Sequence, residues 1–232
     1  MVLCSAAELW RKRPNARHSR SGRIPVRRKS VAGEVKDETH DIIPVIHLYD
    51  TCQEREIQLG REAGLDVDVY ARLEYAAGQM HEIRLGLLAG IDATIYADPC
   101  YTAQQMEIIR TGLTMRLDVT WYADPDLDPD QMEVIRQGLE WGLDVSRYAD
   151  PAYDIDQMDE IRQGLIEGLD VSPYARQDYG WHQMAEIRKG IETGLDISVY
   201  ADPDIPAGLM AAIRECRENG YRVIRDPDAD MT

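Results

Sequence analysis

Methionine returns at a fixed interval along most of this chain. Met80, Met106, Met132, Met158, Met184 and Met210 are spaced by 26 residues with no slippage. Glu54 extends the register back by one copy, and "EREIQLG" matches the "MHEIRLG" that follows it. The result is about seven repeats between residues 47 and 226, with the consensus Q-M-x-E-I-R-x-G-L-x-x-G-L-D-V-S-x-Y-A-D-P-x-Y-D-x-x. A gap-free period of this length is the signature of a stacked array, because no single repeat encloses a core alone.

Within one repeat the pattern predicts a long helix and a short one. Met132, Ile135 and Leu139 fall at i, i+3 and i+7, one stripe of an α-helix. Asp128 and Gln131 before them form a capping box, with Pro129 at the first helical position. Thr102/Gln105 and Asp154/Gln157 repeat the box, whereas Ala76, Gly180 and Pro206 do not. Gly142 followed by Leu143 is the glycine stop of a Schellman ending, and Gly64, Gly90, Gly168, Gly194 and Gly220 share its place. Arg116 takes that place once and predicts a strained or lengthened helix end. Asp144 then opens a second helix of one or two turns, closed near Pro151. The expectation is an all-α fold, an α-solenoid of about seven repeats, each with a long helix of roughly 12–14 residues.

A glycine also recurs inside the long helix, at Gly60, Gly86, Gly112, Gly138, Gly164 and Gly190. Such a residue costs about 1 kcal/mol relative to alanine. Its recurrence predicts a steric need, met by a neighbouring backbone or a tyrosine ring. Gly138 and Gly142 stand four apart, which predicts a shared face packed tightly between repeats. The Tyr-Ala-Asp-Pro segment reads as the joint, with tyrosine in the core.

Charge is segregated. Residues 1–30 hold nine Lys/Arg and one acid, whereas the remainder holds 17 Lys/Arg against 41 Asp/Glu. This predicts three parts: a basic arm without regular structure over residues 1–45, the repeat domain over 46–226, and a tail over 227–232. The arm is expected to be a solvated tail, or else to contact nucleic acid or fold back on the acidic repeats.

Several chemistries lack their residues. Cys4, Cys52, Cys100 and Cys216 lie far apart, without a CxxC or Cys/His cluster, so neither a zinc site nor a disulfide framework is expected. Asp124, Asp126, Asp128 and Asp130 alternate like the start of a calcium loop. Pro129 and Ile135, however, stand where that loop needs glycine and glutamate. The histidines His18, His40, His47, His81 and His182 are scattered, and no nucleotide-binding or hydrolase motif occurs. Repeats that are all alike do not make the one unlike constellation a catalyst needs. No catalytic residue, metal ligand or cofactor is therefore assigned, and the chain is expected not to be an enzyme. No apolar run approaches the ~20 residues of a membrane helix, and "MVLCSAAELW" turns polar too soon for a secretory signal. A cytoplasmic location with reduced thiols follows.

What remains is surface. Arg84, Arg110, Arg136, Arg162, Arg188 and Arg214 form a ladder, one per repeat, which is expected to be structural. Each would pair with an aspartate of an adjoining GLD or YADP segment. Trp141 occupies a place that elsewhere holds Ala63, Ala89, Glu167, Thr193 and Asn219, hence an exposed one. Met115 shares it, and Trp121 replaces Ile95, Arg147, Pro173 and Val199 at another variable place. Met115, Trp121 and Trp141 are the expected partner contacts, with local packing near Arg116 as the competing account.

The phrase "YADPxYDxxQMxEIRxGLxxGLDVS" resembles tandem repeats in uncharacterised proteins of bacterial mobile elements. The likeness covers about residues 54–210 and is strongest over 96–174, while "YARQDYGW" departs at Arg176 and Gly180. It implies an accessory or defence-related setting and carries no activity and no site residues. The expected function is binding of another protein, as scaffold or accessory. The alternative is that the acidic surface imitates nucleic acid and inhibits a DNA- or RNA-handling enzyme.

Overall fold

A computed structural model describes residues 32–36, 42–46 and 48–221. Two short strands, β1 (Ala32–Lys36) and β2 (Ile42–Ile46), pair antiparallel with Ala32 opposite Ile46. They lie where the sequence predicts no regular structure. The rest of the expected arm, and the tail over 227–232, lie outside the described residues.

The repeats form an α-solenoid built from seven described long helices of 12 residues each. These are α1 (Thr51–Glu62), α2 (Ala77–Leu88), α3 (Ala103–Thr114), α4 (Pro129–Glu140), α5 (Ile155–Ile166), α6 (Trp181–Glu192) and α7 (Ala207–Glu218). The chain divides into two compact bodies, residues 1–125 and 126–232. In the first, α1 packs on α2 and α2 on α3; in the second, α4 to α7 pack in the same serial order. The core of each repeat is the expected stripe. Met132 and Ile135 are fully buried, as are their counterparts Met158 and Ile161. Leu139 is only half-buried, at the edge of the stripe.

The helix starts follow the sequence. Asp128 Oδ1 accepts from the Gln131 N–H at 2.8 Å, while Gln131 Oε1 accepts from the Asp128 N–H at 2.8 Å. Asp154/Gln157, Thr102/Gln105 and also Asp50/Gln53 close the same box. At Ala76 and Gly180 only the glutamine half is made, and Pro206 has no side-chain cap. The ends are Schellman turns. Leu143 N–H donates to Gly138 O at 2.9 Å, and Gly142 takes φ 72°. Arg116 keeps the same turn, with Leu117 N–H on Gly112 O at 2.9 Å and φ 62°. The helix before it is no longer than the others, so the sequence difference appears as strain alone.

The short element is a single 3-10 turn of three residues, such as Val145–Arg147, capped by Asp144 through the Ser146 N–H. At Val171 to Pro173 it is a plain turn, because proline has no N–H to donate.

Gly138 and Gly142 do not share a packing face. Gly142 sits in the left-handed turn with nothing near its Cα hydrogen, whereas Gly138 receives the Tyr148 side chain of its own repeat. A methyl group on Gly138 would overlap the Tyr148 hydroxyl, and Val145 Cγ1 lies 3.0 Å from the same point. The tight contact is therefore within a repeat and locks the short turn onto the long helix. Gly60/Tyr70, Gly86/Tyr96, Gly112/Tyr122, Gly164/Tyr174 and Gly190/Tyr200 repeat it. The tyrosine hydroxyl also has backbone within reach. Tyr96 donates to Glu82 O at 3.1 Å and Tyr70 to Glu56 O at 3.0 Å.

Repeats are joined by a residue whose second role the sequence did not disclose. The capping glutamine uses its amide nitrogen to reach the following repeat. Gln131 Nε2 donates to Tyr153 O at 2.6 Å, Gln157 to Tyr179 O at 2.6 Å and Gln79 to Tyr101 O at 2.5 Å. In the first body a tyrosine adds to this, with the Tyr49 and Tyr75 hydroxyls donating to Ala71 O and Ala97 O at 2.6 Å.

Arg116→Gly is expected to raise stability by about 1 kcal/mol, since glycine adopts the left-handed turn without strain, read as a higher melting temperature. Gly138→Ala is expected to cost roughly 1–3 kcal/mol through overpacking. The Tyr148 hydroxyl is buried without a hydrogen-bond partner, so Tyr148→Phe is expected to be neutral or stabilising alone and to recover most of the Gly138→Ala loss.

Candidate interaction surface

The arginine ladder is structural where its partner exists. Arg84 Nε bonds Glu56 at 2.8 Å, Arg110 bonds Glu82 at 2.9 Å, Arg188 bonds Glu160 at 2.9 Å and Arg214 bonds Glu186 at 2.8 Å. In each case the glutamate comes from the preceding long helix, 28 residues earlier. The expected pairing with GLD or YADP aspartates is thereby corrected. Those aspartates are occupied differently: Asp144, Asp118 and Asp92 each cap their own short turn. The helix glutamate suits the role because it faces the next helix at mid-height, where the arginine is only 11–21% exposed.

These pairs are stiff and partly desolvated. Burial pushes the Glu186 carboxyl up, but hydrogen bonds from Lys189 and Arg214 outweigh it and hold the group below the ordinary glutamate range.

Two arginines lack that glutamate. Ile108 and Val134 stand where Glu56, Glu82, Glu160 and Glu186 stand in other repeats. Arg136 instead bonds Glu133 and Glu140 of its own helix, at 2.5 and 3.3 Å. Arg162 bonds Asp159 of its own helix, and its Nη1 reaches Gln137 Oε1 at 3.1 Å. The Arg162 guanidinium also lies over the Trp141 ring, 5.2 Å from the centroid, at the place where Arg188, which keeps its Glu160, meets Glu167 at 3.0 Å.

Trp141 closes α4 as its C-terminal cap and is 56% exposed. That exposure was expected from the Glu, Thr and Asn at the same place. Ile166, the last residue of α5, is also exposed, and it lies four residues beyond Arg162 on the same helix face. Trp141, Arg162 and Ile166 thus share the C-terminal ends of two adjacent helices. An apolar plane, a cation on it and an aliphatic rim form a surface of the kind that aromatic and arginine anchors make in protein interfaces.

Met115 occupies the same capping place on α3, in the other compact body, and is 39% exposed. Leu88, the last residue of α2 in that body, is exposed too. Trp121 ends the 3-10 turn Val119–Trp121 and is half-buried, consistent with local packing. The sequence reading missed Leu88 and Ile166. Their signal was present, because Glu62, Glu140, Glu192 and Glu218 hold that place in other repeats.

Other chemistry is thin among the described residues. His81 lies between Glu56 and Arg84, and His182 stacks on Trp181 with centroids 3.4 Å apart. No three His, Cys, Asp or Glu side chains are grouped as metal ligands would be. Asp128 of the alternating aspartates is a helix cap, and Asp124 is buried. The thiols of Cys52, Cys100 and Cys216 are free and exposed. A shallow cleft of about 320 Å³ opens between two short turns, lined by Ser146, Arg147, Asp150, Tyr153, Ser172 and Gln177. Two of its polar groups are already partnered: Gln177 Nε2 donates to Asp150 at 3.2 Å within the cleft, and Ser146 Oγ donates to Asp144 outside it at 2.5 Å. No described helix is long and apolar enough to cross a membrane.

No family model matches the chain, and neither a curated protein nor a solved structure does so.

Glu186→Gln is expected to cost roughly 1–3 kcal/mol near neutral pH by taking the carboxylate from Lys189 and the interhelical carboxylate from Arg214, which keeps only Glu218 and Glu215 of its own helix. The folded-state pKa is depressed, so the stabilisation is present above the ordinary glutamate range and is lost as pH falls through it. Chemical denaturation curves of the two proteins are therefore expected to converge in acid and to differ at pH 7.

Proposed function

We propose that this chain is a non-enzymatic helical-repeat module that binds another protein in the cytoplasm, as a scaffold or accessory of a bacterial mobile element. The observation that supports it is the Trp141–Arg162–Ile166 surface. A tryptophan at a capping place brings no benefit to the helix it ends, and leaving it exposed costs solubility. Val134 removes an interhelical ion pair, and Trp141 offers Arg162 an aromatic face where Arg188 meets the Glu167 carboxylate. Together the two changes make one repeat unlike its neighbours on its outside while its Met132–Ile135 stripe is kept. Binding through variable surface places on an invariant stack is how helical-repeat proteins acquire partners, and fold alone does not choose the partner.

A second reading has its own support. Asp66, Asp92, Asp118, Asp144, Asp170 and Asp196 are all exposed, one per repeat, each fixed by accepting a backbone N–H of its short turn or by the equivalent turn geometry. Regularly placed, rigid carboxylates are what an imitation of a phosphate backbone requires, and the target would be a DNA- or RNA-handling enzyme.

Affinity capture from bacterial lysate at two salt concentrations separates the readings. A protein-binding module is expected to retain its partner at moderate salt and to lose at least tenfold in affinity on Trp141→Ala, about 1.4 kcal/mol or more. Capture that survives Trp141→Ala and Arg162→Glu but collapses as salt rises supports the nucleic-acid imitation instead.

A further inference from the structure

In the first body a row of tyrosines is tied to the backbone of the following repeat. Tyr49, Tyr75 and Tyr101 donate their hydroxyls to Ala71 O, Ala97 O and Ala123 O at 2.6, 2.6 and 2.7 Å. In the second body Tyr153 and Tyr179 hold the same place, with Ala175 and Ala201 at the places of those alanines. Neither hydroxyl has a hydrogen-bond partner among the described residues. Tyr179 is 1% exposed and lies under the Arg176 guanidinium, 5.2 Å from the ring centroid. Tyr153 is 7% exposed and lines the cleft between the short turns together with Ala175. Its hydroxyl is not enclosed as the Tyr148 hydroxyl is, so the one reachable end of this buried side chain opens on the cleft.

Two further residues of the cleft are unlike their counterparts. Arg147 stands where other repeats have Val69, Ile95, Trp121, Pro173 and Val199. Gln177 stands where they have Leu73, Pro99, Pro125, Pro151 and Pro203. Arg147 Nε lies 3.4 Å from Asp144 Oδ2, with both side chains exposed, a pair that contributes little to the fold. The two terminal nitrogens of Arg147 have no partner among the described residues. Gln177 Nε2 is given to Asp150 Oδ2, and its Oε1 is open. The cleft is thus the one unlike constellation in a row of like turns, and it carries polar groups that the fold does not use.

Those groups define a ligand. Burial and the carboxylates of Asp150 and Asp178 push the Tyr153 pKa up, so the hydroxyl keeps its proton and donates. Arg147 donates through a fork that suits a carboxylate. Ala175 O and Gln177 Oε1 accept. A carboxylate with an N–H close beside it answers both kinds of group. Asp144 and Asp150 stand next to the same donors, and their charge opposes a doubly charged phosphate more than a single carboxylate. A cleft of about 320 Å³ is at the small end of ligand sites and holds roughly one or two residues of a peptide.

We propose that this cleft binds the C-terminal residue of a peptide chain, with its carboxylate at Arg147 and Tyr153 and its amide N–H at Ala175 O. The side chains involved are separate from Trp141, Arg162 and Ile166, so the site goes beyond the protein-contact surface and does not depend on it.

Titration of the full chain with N-acetyl-alanyl-alanine, followed by amide NMR shifts, tests the site. Saturable shifts are expected at Arg147, Ser172, Ala175 and Gln177, with a dissociation constant on the order of millimolar. The same peptide with an amidated C-terminus is expected to bind about tenfold more weakly, and so is the free-acid peptide to Arg147→Val, which restores the residue of Val69 and Val199. Tyr153→Phe removes an oxygen that bonds nothing in the free protein, so it is expected to keep the wild-type melting temperature and to weaken the peptide severalfold. Shifts that do not saturate overturn the proposal, as does an amidated peptide bound as tightly as the free acid. Acetate bound as tightly as the peptide overturns it, because Arg147 alone would then account for the binding. Free alanine bound more tightly than the peptide overturns it too, because the cleft would then read an ammonium in place of an amide. Wild-type affinity in either variant has the same consequence.

Discussion

The structure depends on a buried glutamine that bonds in two directions. Its amide oxygen takes the N–H at the start of its own helix, and its nitrogen is given to a carbonyl of the next repeat, as Gln131 does with Asp128 and Tyr153. A helix N-terminus leaves donors without partners, and an irregular turn packed beneath a helix leaves acceptors without partners. One amide answers both needs, and because it is buried neither bond competes with water. The geometry permits a single register between neighbours, which explains why 26 residues are held without insertion.

Around this clamp the interactions divide by direction. The glycine–tyrosine contact is internal to a repeat and fixes the short turn on the long helix. The glutamine amide and the arginine–glutamate pair run between repeats. Removing the internal lock therefore loosens one repeat, whereas removing a cross-link uncouples two. The last repeat illustrates the division. Asp226 stands at the tyrosine's place after α7, and there Cys216 replaces the helix glycine, with Leu209 and Ala212 at the places of the glutamine and glutamate. That the glycine changes together with the tyrosine is the pattern expected when their contact is the reason for both.

Variation concentrates where this frame makes no demand. The last helical place and the cap after it tolerate Glu, Thr, Asn, Ala, Leu, Ile, Met and Trp, because neither is buried in the stack; the cap meets only the guanidinium of the next helix, as Glu167 meets Arg188 and Trp141 meets Arg162. Changes also reach inward: two glutamates are lost, at Ile108 and Val134, and Leu127 and Ile205 are buried where Tyr75, Tyr101, Tyr153 and Tyr179 are buried in other repeats.

The sequence alone determined the repeat, its length, the helix starts and the glycine stops, since each is a local interaction between residues a few positions apart. Asp128 with Gln131, and Gly142 with Leu143, can be read without knowing what packs on them. It also singled out Trp141 and Met115 as exposed, because a place that accepts glutamate, threonine and asparagine has no packing partner. Only the tertiary structure decided the long-range partners. The ladder arginine could have met any of several acids, and it meets the glutamate 28 residues back because two adjacent long helices bring those side chains to one height. The second bond of the glutamine is equally invisible to spacing, and stacking chose the tyrosine ring over a neighbouring backbone as the group that fills the helix glycine. Each exists only once residues 10 to 28 apart in sequence have been brought together by stacking.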